Sequence, residues 1–264
     1  MNVNCIEIIG LNYLNIFKDF SVAFEDKKFI TITGPNNCGK TTLIRIIDNE
    51  YPVNNTILLY GRKQEEYKIT ELSNIIKTII PLEITFIQNT IEEELYYQLP
   101  LGLSKEIKQK KIKEVAKDLK LTKILTKSLE NLSIIEKVKL QIALAIIASP
   151  KIILLDDLSQ YVELKEYYEI VKLLKKLNQE HSITIIMITN NLQCALESDY
   201  IYVIDESKII IEGNPIEVLE KDNILNKAGL ELPFMMDLSV KLRDYDLIKK
   251  IELDMDRMVD ILWN

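Results

Sequence analysis

The sequence predicts an α/β fold with a mostly parallel sheet, an inserted block of helices and a C-terminal helical extension. Three observations lead there. A β-branched run, Phe29-Ile30-Thr31-Ile32-Thr33, enters a loop, Gly34-Pro35-Asn36-Asn37-Cys38-Gly39-Lys40-Thr41-Thr42, which opens the helical pattern Leu43-Ile44-Arg45-Ile46-Ile47. Two more apolar runs, 152–155 and 183–188, have the length and composition of strands buried on both faces. Between these and the loop, residues 91–147 carry apolar positions at three- and four-residue spacing, the period of helices.

Strand, loop and helix around Gly34–Thr42 are the context in which G-x-x-x-x-G-K-[ST] has physical meaning. Backbone N–H groups of such a loop wrap phosphates, and the helix N-terminus adds its positive dipole end. Lys40 would reach the β- and γ-phosphates, and the Thr41 hydroxyl would ligate Mg²⁺. Gly34, Pro35, Asn36, Asn37, Cys38, Gly39, Lys40, Thr41 and Thr42 are therefore the expected nucleotide-binding residues. An ordinary strand-to-helix turn around a buried lysine stem is outweighed, because motif, spacing and local context agree.

Composition narrows the class. A chain of 264 residues, 47% of them hydrophobic, can bury a sizeable core in one or two domains. A net charge of −7 argues against nucleic acid as the main partner. The N-terminal residues show no signal-type pattern, and no apolar run approaches the ~20 residues needed to cross a bilayer. Cys5, Cys38 and Cys194 have no metal or redox spacing, which suits small buried hydrophobes in a reducing cytosol. Glycine is scarce, at seven residues where average usage of about 7% gives roughly eighteen.

Taken in order, residues 4–33 alternate apolar and polar in three strand-like runs. Tyr13 falls between the first two. It can stack on an adenine ring or be a half-buried turn tyrosine, and Phe17 is a rival for the stacking role. Residues 56–61 read as a short strand ending in a turn glycine. Residues 84–87 read as a strand that delivers Gln88. Helices are expected over 91–99, 105–119 and 134–147. The strand at 152–155 ends in Asp156 and Asp157, at the sheet edge where ligands sit beside a phosphate loop. Asp156 would hold Mg²⁺ opposite Thr41. Its other reading, and that of Asp157, is a helix N-cap. A helix over 163–179 leads to the strand at 183–188, which ends at Thr189-Asn190-Asn191. Strands follow over 200–205 and 208–212. A boundary is expected near residue 221, dividing 1–220 from a helical extension, 221–264, with the inserted helical block at about 89–148.

In this order, Gly34–Thr42, Gln88, Leu132-Ser133, Asp156 and Asn190 resemble the nucleotide-binding subunits of ABC transporters. The segment Thr90-Ile91-Glu92-Glu93-Glu94-Leu95, the turn and helix from Glu212 to Leu219, and Gly229-Leu230-Glu231-Leu232-Pro233-Phe234 are similar to the ATPases of energy-coupling-factor (ECF) importers. The resemblance implies an ABC-type P-loop core with an N-terminal antiparallel β part. It also implies ATP and Mg²⁺ as ligands, with Thr41, Gln88 and Asp156 around the metal and Asp157, Gln88 and Asn190 as the catalytic set. A second ATPase subunit, like or related, would pair head to tail. A transmembrane coupling protein and a substrate-binding membrane subunit would complete an importer of vitamins or transition-metal ions at the cytoplasmic face of the cell membrane, with no nucleic acid involved. The C-terminal extension is expected to help pairing, or to pack its apolar face internally.

Several positions depart from the family pattern. The signature that faces the partner's nucleotide reads Leu132-Ser133-Ile134-Ile135-Glu136, with isoleucines for glycines and a glutamate for a glutamine. Ser133 and Glu136 also form a capping box that starts a helix with no ATP nearby. Asp157 stands where a glutamate is usual, and Asn190 where a histidine is usual. These departures leave binding intact and weaken hydrolysis. The alternative they raise is a nucleotide-binding pseudo-ATPase with a regulatory or scaffolding role.

Overall fold

A six-stranded sheet organises the computed structural model, which describes residues 3–54, 56–81, 83 and 85–263. The chain begins with β1 (Asn4–Tyr13), β2 (Phe17–Glu25) and β3 (Phe29–Thr33), then α1 (Lys40–Ile47). β4 (Ile57–Leu59), β5 (Arg62–Lys63), α2 (Ile69–Ile75) and β6 (Ile76–Ile79) follow. The helical block comprises α3 (Ile91–Gln98), α4 (Lys105–Asp118) and α5 (Ile134–Ile147). The sheet resumes with β7 (Ile152–Leu155), α6 (Leu164–His181), β8 (Thr184–Ile188), α7 (Leu192–Ala195), β9 (Tyr200–Asp205) and β10 (Lys208–Gly213). Helices α8 (Pro215–Leu219), α9 (Asp222–Lys227), α10 (Phe234–Asp244) and α11 (Met255–Trp263) complete it.

The main sheet has the order β10-β9-β3-β8-β7-β6, and every neighbouring pair is parallel except β9 with β10. A second, antiparallel sheet has the order β2-β1-β4-β5. Side chains alternate faces along a strand, and the continuous apolar runs follow from that. Ile153 and Leu155 of β7, with Ile185 and Met187 of β8, join the cluster built by α3, α5 and α6. Ile152, Leu154, Ile186 and Ile188 point the other way, into a cluster with α1 and the antiparallel sheet. Both faces of the strands are therefore dry.

Helices α3, α4 and α5 occupy the spans their periodicity predicts. Thr90, Ser104 and Ser133 cap them, each accepting a backbone N–H three residues on. One strand differs. Thr85, Phe86 and Ile87 are irregular, and Ile84 lies outside the described residues. The edge strand is β6 instead, paired in parallel with β7 from Ile76↔Ile152 to Ile79↔Leu155. The physical reason is local. The carboxylate of Glu94 accepts the N–H groups of both Ile87 and Gln88, at 2.9 and 2.8 Å, and so satisfies backbone that a strand would have paired.

Beyond α8, Leu225, Leu230, Met236 and Val240 are buried against Leu192, Ala195, Ile201, Val203 and Val218. Apolar residues on both sides of position 221 thus meet in one cluster. The scarce glycine has a backbone counterpart. Twelve described non-glycine residues have positive φ, among them Leu14 (48°), Asn37 (65°) and Lys120 (58°).

Candidate functional site

The loop between β3 and α1 is shaped by two glycines. Gly34 has φ 152° and lies so close to β9 that a Cβ would stand 2.0 Å from the Ile204 carbonyl oxygen. Gly39 has φ 99°, and a Cβ there would meet Ile16 Cγ2 at 2.5 Å and the Phe17 ring at 3.0 Å. Only glycine accepts both the dihedral and the contact. Asn37 takes the remaining left-handed position at φ 65°, which asparagine tolerates better than most residues. Phe17 is consequently a buried support beneath the loop, 1% exposed, with no ring face for an adenine.

Lys40 opens α1 and its side chain is drawn back over the loop. Its ammonium donates to the Gly34 and Pro35 carbonyls, each at 2.8 Å, and lies 3.7 Å from Cys38 Sγ. Burial pushes the Cys38 thiol above its usual range, although the adjacent Lys40 charge opposes this. One residue on, Thr41 Oγ1 lies 3.3 Å from Asp156 Oδ1 at the carboxyl end of β7. Burial raises the Asp156 pKa. The Asp157 N–H, donating at 2.8 Å, and the Thr41 hydroxyl pull the other way.

These groups line one open cavity of about 610 Å³ with Ile16, Asn36, Asn37, Gly39, Thr42, Asp157, Gln160, Ile188 and Asn190. Asn190, just past β8, donates from Nδ2 to Asn36 Oδ1 at 2.8 Å, which ties that strand end to the phosphate loop. Its own Oδ1 is buried without a partner. Asp157 spends Oδ1 on the N–H of Ser159 at 2.9 Å. A loop of N–H groups, an ammonium and a hydroxyl–carboxylate pair are thus gathered at one sheet edge. Such a set suits a triphosphate with a hard divalent cation.

Two residues expected here stand elsewhere, and the signature, expected to face a partner's nucleotide, lies outside this cavity. Gln88 does not line the cavity, because its loop is wrapped on the Glu94 carboxylate. Tyr13 ends β1 with its ring stacked on Tyr51, centroids 5.9 Å apart and planes 8° from parallel. Ile16, three residues later, is the side chain from this region that reaches the cavity. Ser133 caps α5: its N–H donates to Glu136 Oε2 at 2.8 Å, and Lys127 bonds both Glu136 oxygens at 2.7 and 2.9 Å. That ion pair, followed by the Ser133 bonds, holds the Glu136 carboxyl below the usual range. Ile134 is exposed and Ile135 packs against the helical core. The sequence reading gave no role to Gln160 or Ile16. Gln160 lies three residues after Asp157, and that proximity is the sequence signal for its place in the lining.

A family model described as ABC transporter matches residues 17–160. The energy-coupling factor transporter ATP-binding protein EcfA of Pediococcus pentosaceus is 28% identical over 263 residues, covering 96% of this chain and 94% of that protein. EcfA1 of Mycoplasma mobile is 28% identical over 231 residues, covering 86% and 84%. Among solved structures, the fold is similar to cbiO1 of Clostridium perfringens, described as part of the ABC transporter complex cbiONQ. The TM-score is 0.76 at 22% identity, over 89% of this chain and 98% of that one. It is also similar to an ATP-binding cassette solved as a dimer in a post-hydrolysis state with ADP and Pi. There the TM-score is 0.68 at 20% identity, over 80% and 98%. The chain belongs to the ABC transporter family, as one of its ATP-binding ATPase domains.

Proposed function

We propose that this chain is the ATP-binding subunit of an ECF-type importer, coupling ATP binding and hydrolysis to uptake of a vitamin or transition-metal ion. The observation that carries the reading is the single cavity joining Lys40, Thr41, Asp156, Asp157 and Asn190 at the carboxyl edge of a parallel sheet. Relatives named as ECF ATP-binding proteins, aligned over most of both chains, support the transport assignment. Nothing among these relatives supports a nucleotide-binding scaffold without turnover.

In this reading the loop N–H groups from Gly34 to Thr42 hold the phosphates. Lys40 leaves the carbonyls of Gly34 and Pro35 for the β- and γ-phosphates. The hydroxyl and carboxylate of Thr41 and Asp156 fit Mg²⁺, whose sites keep few protein ligands. Bound there, the ion neutralises charge on the phosphates. Asp157 accepts a proton from the attacking water through the oxygen not used by Ser159. The base contacts come from the Tyr13–Ile16 segment.

Among the described residues no helix is long and apolar enough to cross a membrane. Attachment to the cytoplasmic face would therefore run through membrane subunits, with a second ATPase subunit as the other partner. The C-terminal helix α11 suits that pairing: it buries Met258 and exposes Val259, Ile261, Leu262 and Trp263. The test compares the parent with Lys40→Ala and Asp157→Asn for nucleotide binding and phosphate release. Lys40→Ala should lose most of its nucleotide affinity. Asp157→Asn should bind ATP normally and turn over at least about a hundredfold more slowly. Equal turnover in all three proteins would sink the proposal.

A further inference from the structure

The cavity contains a side chain with no assigned task. We propose that Gln160 positions the attacking water together with Asp157. The inference rests on the ATPase reading of the cavity and adds a residue to it. Asp157 enters the cavity handicapped twice. Aspartate is one methylene shorter than glutamate, and its Oδ1 already accepts the Ser159 N–H at 2.9 Å. One oxygen is left to hold a water that must be fixed in line with the γ-phosphorus, where a misplacement of ~1 Å costs about a hundredfold in rate.

Several of the other polar side chains lining the cavity already have partners. Lys40 donates to the Gly34 and Pro35 carbonyls, Thr41 and Asp156 are bonded to each other, and Asn36 accepts from Asn190. Gln160 is exposed, lines the same cavity and has no hydrogen-bonding partner among the described interactions. Its carboxamide is both acceptor and donor and does not titrate. Oε1 can accept a hydrogen bond from the water while Nε2 donates one to a γ-phosphate oxygen, the orienting task a glutamine performs in other phosphoryl-transfer sites. The Asp157–Ser159 bond leads directly into the turn that carries Gln160, closed by the Tyr161 N–H on the Leu158 carbonyl at 2.9 Å, so the two residues sit on one continuous piece of ordered backbone.

The chemical step balances. The water oxygen forms a bond to the γ-phosphorus as the bond from that phosphorus to the β–γ bridging oxygen breaks, and the electron pair leaves with ADP. One water proton is held by Gln160 Oε1 as a hydrogen bond and stays on the new phosphate. The other passes to Asp157 and from there to solvent.

The purified full chain, Gln160→Ala and Gln160→Glu would be compared for kcat, KM, nucleotide affinity by calorimetry, and Tm. Gln160→Ala should lower kcat at least tenfold, with KM and ATP affinity within about twofold and Tm unchanged, since the side chain is exposed. Gln160→Glu keeps an acceptor, loses the donor and adds charge beside the phosphate. It should be no faster than the alanine variant. A kcat within twofold of the parent in Gln160→Ala overturns the proposal for Gln160 alone. A parent that binds ATP and releases no phosphate overturns it together with the hydrolytic reading.

Discussion

At the residue scale, the phosphate loop was the most legible part of the chain. Its geometry depends on covalent facts about glycine, lysine and threonine, and sequence displays those directly. What sequence could not display is where each side chain rests. Lys40 on two loop carbonyls, Asn190 on Asn36 and Tyr13 on Tyr51 are all outcomes of packing between segments far apart in the chain. Gly39 shows how narrow the tolerance is. Alanine there combines a φ of 99° with a methyl 2.5 Å from Ile16. Gly39→Ala should cost about 1–3 kcal/mol. In a chain of this length that is a fall in Tm of roughly 2–10 °C. Nucleotide affinity should drop with it, because Ile16 must move where the ligand binds. Thermal melts with and without ATP check both effects; an unchanged melt would show that the loop has slack the geometry lacks.

At the element scale, helices were read more surely than the edge strand. The periods of α3, α4 and α5 are local and each start carries its own cap. The choice between residues 76–79 and 84–87 was made by the Glu94 carboxylate. Both stretches are short and apolar, and propensity cannot separate them. The start of α5 makes a sharper point. Glu136 in place of glutamine looked like misplaced charge, yet Lys127 bonds both of its oxygens. The pair lowers the Glu136 pKa, so its stabilisation is present above the unfolded value and is lost as pH falls through the folded one. Glu136→Gln should therefore destabilise the fold by about 0.5–1 kcal/mol at neutral pH, given its partial exposure. The gap to the parent should close below the ordinary glutamate value of 4.5. Melting curves of both proteins from neutral to acid pH test it, and a constant gap would rule out the charge as its source.

At the scale of the whole molecule, the C-terminal extension is where sequence said least, because which surface a helix covers depends on partners remote in the chain. Leu225, Leu230, Met236 and Val240 close over β9, so ending the chain after Lys221 would expose a core. Such a protein should aggregate or melt well below the parent. Ending it after Asp254 removes Met258 from its pocket, worth at most about 1.5–3 kcal/mol, along with the exposed apolar face of α11. That protein should stay folded and self-associate less. Sedimentation across a concentration series measures this, and equal association with the parent would take α11 out of the pairing surface.

The residues held at positive φ bear on how much stability this fold has left unused. Left-handed geometry costs an L-residue roughly 1–2 kcal/mol, while glycine gives up about 0.5–1 kcal/mol through the freedom of its unfolded chain. At exposed positions such as Leu14 and Lys120, where the side chain supports little of the core, the balance tips toward glycine. A sequence so sparing of glycine has thus distributed small conformational strains across its turns. Evolution or an engineer could release those outside the phosphate loop and the Tyr13–Ile16 segment, Lys120 among them, without touching the site proposed to hold the nucleotide.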